Sequence, residues 1–392
     1  MLDKKSIDQA KTVLRKAIKN QDIAGANMLV IKECKEIFYH EDGMADREAG
    51  IPIRRDSIFR LYSMTKPVTA TAVMILLERG EIDLYEPVSN YLEGFKNQMV
   101  DVGGRLVPAE REVTLKDLLS MSSGLVYGGE DRAGLDTEAV FKEIDSKLLG
   151  DSPIGTVEAV NKLGKGALAF QPGTSWRYGT SADVLGAVVE VVSGQRFGDF
   201  LKKEIFEPIQ MKETAFWLSG EKRERLVKTY ADDGNGGLKL YTGNHLGIIH
   251  HMDRNPTFES GGAGLVSTID DYARFTKMLM NQGSLGGVQI LRPKTVNYLT
   301  SATLNQTQQK NFDLWGTLAG HSYGNLMRVM ADTTKAGDLG SPGEYGWDGW
   351  LGAYFCNCPN EDVTLLFMMQ KKDAGTTTLT RKLRNIILSS CY

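Results

Sequence analysis

The sequence predicts a mixed α/β fold, in which one sheet is assembled from both ends of the chain and a mostly helical region is inserted between them. Three observations carry that expectation. Strand-like runs "NMLVIK" (27–32) and "EIFYHED" (36–42) stand near the start, and "GAYFCNCP" (352–359) and "DVTLLFMMQK" (362–371) stand near the end. Between about 95 and 255 the signals are mostly helices and loops. At 392 residues the chain also exceeds the ~250–300 residues at which single cores stop growing. Two units are therefore expected: a discontinuous α/β unit of residues 1–95 and 256–392, and a helical unit of 96–255, with a cleft between them.

Taken in order, "MLDKKSIDQAKTVLRKAIKNQDIAGA" mixes charges with periodic apolar residues and has no apolar signal core, so an amphipathic helix and a cytoplasmic chain are expected. The first two strand runs, joined by "ECK", form a hairpin. From Thr69 to Gly80, Val73, Met74, Leu76 and Leu77 recur at helical spacing, and Gly80 stops the helix. "VTLKDLLSMSSGL" reads as a capped helix closed by Gly124, and "SADVLGAVVEVVSG" as an apolar helix ending at Gly194. "FGDFLKKEIFEPI" is amphipathic and stops before Pro208, while "ADDGNGG" joins two strands. Thr268 caps a helix that Gly283 ends, and "TTTLTRKLRNIILSS" supplies the last one.

Hydrophobic content of 42% and charged content of 24% are ordinary for a soluble globular protein. A net charge of −3 offers no basic field to nucleic acid or anionic membrane, and no apolar run reaches spanning length. A small-molecule substrate is the expected partner. Four cysteines are too few for a disulfide framework. Cys356 and Cys358 share a strand face and could hold a metal or a strained disulfide, although small strand hydrophobes is the simpler reading. His245, His250, His251 and Asp253 in "HLGIIHHMD" lack the spacing of a helical ligand pair, so no metal is expected there.

The chemistry points to "FRLYSMTKPVTATAVMILLERG", which holds Ser63 and Lys66. Residues three apart on a helix share a face, and Pro67 is tolerated in a first turn, where its missing N–H has no partner anyway. Ser63 then lies at a helix N-terminus, whose partial positive charge favours an alkoxide and a neutral amine. The same position suits a simple N-cap, and the pattern alone leaves both readings open. Ser-x-x-Lys recurs at Ser219 and Lys222, but there charged residues follow instead of an apolar helix.

Three further stretches bear on the choice: "TLKDLLSMSSGL", "PGTSWRYGTSADVLG" with Tyr178, and the Gly-rich "SPGEYGWDGWLGAYF". Together with "SMTK" they resemble, in order and separation, the serine β-lactamase and penicillin-recognising superfamily, most closely its class C-like branch of family VIII carboxylesterases and transesterases. The likeness extends to "GGAGLVSTIDDYARF" and "DVTLLFMMQ". It implies a β-lactamase/DD-peptidase-like fold, with an antiparallel sheet flanked by helices and an inserted helical unit. It also implies Ser63 as the acylated nucleophile, Lys66 as its base, and Tyr178 as the group that protonates the leaving group. A tyrosine pKa of ~10 must fall for that task, and a Lys66 ammonium beside it is expected to lower it.

The sequence departs from the peptidase pattern twice. The second motif reads Tyr178-Gly179-Thr180, without the usual asparagine, and the third reads Trp347-Asp348-Gly349, where a cation or imidazole followed by Thr-Gly is common. Trp and Asp remove a clamp for a substrate carboxylate, which favours esters over carboxylate-ended amides. The resemblance makes Trp347, Asp348, Gly349, Trp350 and Tyr127 the substrate-binding positions, with the Ser63 and Trp350 N–H groups facing the oxyanion. It implies a cofactor-free serine hydrolase or acyltransferase, first a carboxylesterase for small or medium acyl esters. A D-amino-acid peptidase or amidase, or a weak class C-like β-lactamase, is the alternative enzyme. A non-catalytic sensor or scaffold is the alternative of another class.

Overall fold

The computed structural model describes residues 2–391. Its frame is one eight-stranded sheet made of β1 (Gly25–Lys32), β2 (Lys35–Asp46), β3 (Ile51–Pro52), β4 (His321–Tyr323), β5 (Arg328–Met330), β6 (Tyr345–Asp348), β7 (Tyr354–Cys358) and β8 (Val363–Met369). The order is β4-β5-β6-β7-β8-β1-β2-β3, with every neighbouring pair antiparallel. The two ends of the chain meet inside it, because β1 pairs with β8 from Ala26 opposite Met369 to Lys32 opposite Val363. The expected hairpin of the first two strands is present.

The helices that matter for the site are α1 (Lys4–Lys19), α2 (Thr65–Glu78), α3 (Arg132–Lys147), α4 (Ser181–Ser193), α5 (Ile269–Met280) and α6 (Thr378–Leu388). The period of two along the strands sorts them onto the two faces of the sheet. Met28, Val30, Leu365, Phe367, Cys356 and Cys358 pack with Leu14 of α1 and Leu383 of α6. Leu29, Ile31, Phe355, Leu366 and Met368 pack with α2 and α5 instead. Cys356 and Cys358 therefore share a face, as their spacing predicts, but it is the one turned away from α2. Their sulfurs lie 4.0 Å apart, with Cys358 Sγ 3.5 Å from Glu344, whose carboxylate pairs with buried Arg384.

Helix α2 is buried on every side from Thr65 to Leu76, which marks it as a central core helix. Each aliphatic side chain that it buries fully is worth about 1.5–3 kcal/mol. It begins four residues before the predicted Thr69, because its first turn is polar yet enclosed: Thr69 Oγ1 donates to Gly261 O at 2.7 Å. Helix α4, which packs on α2, ends where expected, at left-handed Gly194.

One predicted helix is shorter than the sequence suggested. Thr114 and Asp117 form a capping box, but the helix runs only from Leu115 to Leu119. Ser120 Oγ returns to Lys116 O, and Met121 then adopts a φ of +56°, so the chain turns well before Gly124. No helix among the described residues is long and apolar enough to cross a membrane.

Candidate active site

Ser63 sits in a single 3-10 turn, Tyr62–Met64, immediately before α2. The chain enters it through Tyr62 at a φ of +45°, a conformation that costs a side-chain-bearing residue roughly 1–3 kcal/mol and gathers at functional sites. Packing holds the kink, since Tyr62 is only 1% exposed and its ring meets that of Trp350 at 4.9 Å. The question of a simple cap is answered by the turn itself. The N-cap of α2 is Met64, with no side-chain hydrogen bond, so the Ser63 hydroxyl does not cap the helix.

One turn on, Lys66 Nζ lies 3.1 Å from Ser63 Oγ, 3.0 Å from Tyr127 Oη and 2.8 Å from Gly262 O. As an ammonium it donates all three bonds. As a neutral amine it can donate to Tyr127 and Gly262 and accept the Ser63 proton on its lone pair, so both forms are satisfied. Burial pushes Lys66 down to about 7, opposed by the charges of Asp183 and Asp348. That direction agrees with the sequence expectation. The rival pair does not assemble: Lys222 Nζ donates instead to Lys212 O at 2.9 Å, and Ser219 is exposed.

Tyr178 stands over the same amine, with its ring centroid 4.6 Å from Lys66 Nζ, and its oxygen accepts from Trp347 Nε1 at 3.1 Å. The expectation that an ammonium lowers its pKa is corrected here. Burial raises Tyr178 well above the ordinary phenol range, and the hydrogen bonds of Ser63 and Trp347 offset only part of that. Tyr178 is a protonated phenol near neutral pH.

The third motif closes the site from β6. Trp347 is buried with its indole on Tyr178, so it is a supporting residue more than a wall. Asp348 turns to accept from Thr376 and does not line the cavity beside Ser63. Gly349 packs directly on the Ser63 turn, because a Cβ there would sit 2.1 Å from Leu61 O. Gly349→Ala should therefore displace the turn and lower kcat for p-nitrophenyl acetate about 100-fold, with an unchanged far-ultraviolet spectrum. A fall of less than about threefold would remove this contact from the site.

Beside Ser63 opens a cavity of about 530 Å³ whose walls include Tyr62, Tyr127, Phe141, Tyr178 and Trp350. Tyr127, expected only as a wall, also holds the Lys66 amine. Two groups have roles that the sequence reading did not assign. Asp183 accepts from Ser260 Oγ at 2.5 Å and Gly262 N at 3.0 Å, which fixes the carbonyl that grips Lys66. His245 stacks on Trp350 at 4.1 Å and so belongs to the pocket wall. The available signals were "SADVLG" and "GGAG", but neither says what it faces.

The family model described as Beta-lactamase matches residues 10–387. The chain belongs to the beta-lactamase family. Among relatives of this beta-lactamase-family chain, esterase EstB of Burkholderia gladioli is 30% identical over 354 residues, covering 87% of this chain and 84% of that one. A Salmonella typhimurium protein provisionally named a D-alanyl-D-alanine carboxypeptidase is 26% identical over 364 residues, covering 86% and 76%. The solved structure of EstCE1, described as a hydrolase with promiscuous acyltransferase activity, superposes with a TM-score of 0.82 at 22% identity, covering 98% of this chain and 99% of that one. The family and the fold thus agree with those the motifs predicted.

Proposed function

We propose that this protein is a serine carboxylesterase, with acyl transfer to alcohols as its close variant, and that it works through a Ser63 acyl-enzyme. The observation that carries the reading is a buried amine, poised near neutral pH, within hydrogen-bond reach of a serine on a strained turn. Similarity to an esterase supports the same class. The two-unit division, 1–95 with 256–392 against 96–255, belongs to this proposal, with the cavity between Ser63 and α3 as its cleft.

Lys66 takes the Ser63 proton as Oγ attacks the ester carbonyl, and the N–H groups of Ser63 and Trp350 receive the oxyanion. Protonated Tyr178 passes its proton to the departing alkoxide, while the Trp347 indole steadies the phenolate left behind. In the second half the phenolate takes a proton from water or an alcohol, which attacks the acyl group. The Lys66 ammonium then returns its proton to Ser63 Oγ. The three side chains finish as they began.

The alternative is a D-amino-acid peptidase or β-lactamase activity, which the carboxypeptidase-named relative keeps in view. Trp347 and Asp348 stand where that chemistry commonly uses a cation, which favours the ester. The decisive comparison is a short p-nitrophenyl ester against nitrocefin and a D-Ala-D-Ala peptide, with intact-mass analysis after a fluorophosphonate. Ester preference and an adduct on Ser63 are expected. Preference for the peptide would sink the ester assignment, and an absent adduct would leave an inert sensor or scaffold.

A further inference from the structure

The cavity beside Ser63 has an uneven charge that catalysis does not use. Glu138, Phe141, Lys142 and Asp145 occupy positions i, i+3, i+4 and i+7 of α3, so one face of that helix forms its outer wall. Among the described residues, neither Glu138 nor Asp145 is ion-paired. Glu138 accepts only from Gly129 N at 3.3 Å, and Asp145 only from Gly247 N at 3.1 Å. Lys142, the one cation among the lining residues, is exposed.

Most of the remaining lining side chains are aromatic: Tyr62, Tyr127, Tyr178, His245 and Trp350. Trp350, Tyr62 and His245 form one aromatic cluster, with ring centroids 4.9 Å (Trp350 to Tyr62), 4.1 Å (Trp350 to His245) and 6.1 Å (Tyr62 to His245) apart. Burial lowers the His245 pKa, so this imidazole adds no positive charge near neutral pH. Tyr62 lines the cavity, and its buried hydroxyl has no hydrogen-bond partner among the described residues. Aromatic faces together with unpaired carboxylates attract a cation and repel a carboxylate.

We infer that this cavity selects esters bearing a cationic nitrogen, as a quaternary ammonium or a protonated amine, with Glu138 and Asp145 setting the preference. The inference rests on the esterase reading of Ser63. A trimethylammonium head is small against a cavity of about 530 Å³, so charge and aromatic contact, more than size, decide the choice. It follows that substrates ending in a carboxylate enter the same cavity poorly.

The test compares acetylthiocholine with S-(3,3-dimethylbutyl) thioacetate, which has the same shape with carbon in place of the charged nitrogen. The expected ratio of kcat/KM favours the cation by about tenfold, and it falls to about twofold or less in the Glu138→Gln/Asp145→Asn double variant. A parent ratio near one, or a ratio that the double variant leaves intact, overturns the inference. Each single variant is measured as well, so that a misfolded double variant does not decide the matter.

If neither thioester is turned over, tryptophan fluorescence reads the binding of choline against 3,3-dimethylbutan-1-ol, and equal or absent binding overturns the inference. The esterase reading fails separately, if p-nitrophenyl acetate hydrolysis survives Ser63→Ala. Binding of choline over the neutral alcohol still decides the cation preference in that case.

Discussion

Ser63→Ala should reduce kcat/KM for p-nitrophenyl acetate by about 10⁴-fold or more and abolish labelling by a fluorophosphonate. The size of the effect follows from what is removed. Lys66, Tyr178 and the backbone donors stay in place, but no oxygen remains to carry the acyl group, so only binding and oxyanion stabilisation survive. The fold should tolerate the change. Met64 is the N-cap of α2 and Ser63 does not cap it, so the unfolding free energy should move by no more than about 0.5–1 kcal/mol. Ser219→Ala is the matched control, since Ser219 is exposed and its nearby lysine points elsewhere. Turnover within twofold of the parent in Ser63→Ala would mean that this serine is not the nucleophile.

The second large effect is the pH dependence that Lys66 imposes. With its pKa lowered to about 7 by burial, the neutral amine predominates only above that value. The profile of kcat/KM should rise tenfold per pH unit below about 7 and level off above it. Lys66→Met should lose about 10²–10⁴-fold in rate and the rising limb with it. The same group gives stability a slope of known sign. Between about 7 and the ordinary lysine value of 10.5, the unfolded chain binds one proton more than the folded one. Stability therefore increases with pH across that window, and Lys66→Met should flatten the increase. A rising limb that persists unchanged in Lys66→Met would assign the titration to another group.

The parts that the sequence made legible are those set by local chemistry. Strand runs, helical spacing and caps such as Thr268 are short-range signals, and the elements they predict are present. Ser63 and Lys66 were legible for the same reason, being one turn apart. Tyr178 required several motifs read together. The contacts that complete the site are long-range: Tyr127 and Gly262 reach the Lys66 amine from 61 and 196 residues away. No spacing rule encodes them. The sign of the Tyr178 shift was missed because desolvation sums the whole surrounding packing, while the sequence offered only the neighbouring charge. The left-handed backbone of Tyr62 was equally unreadable, since tyrosine carries no preference for it.

The pairing of β1 with β8 has a consequence for the order of events during synthesis. Residues 25–32 leave the ribosome early, yet their partner at 363–369 emerges when the chain is nearly finished. Until then one edge of β1 has only solvent or a chaperone to pair with, and an unpaired apolar edge invites aggregation. Ser63 and Lys66 are also made early, but the Trp347 to Gly349 segment arrives late, so a ribosome-bound chain carries the proposed nucleophile long before the site around it is complete. On the proposed Ser63 reading, stalled or truncated products that end before β6 should be silent toward a fluorophosphonate.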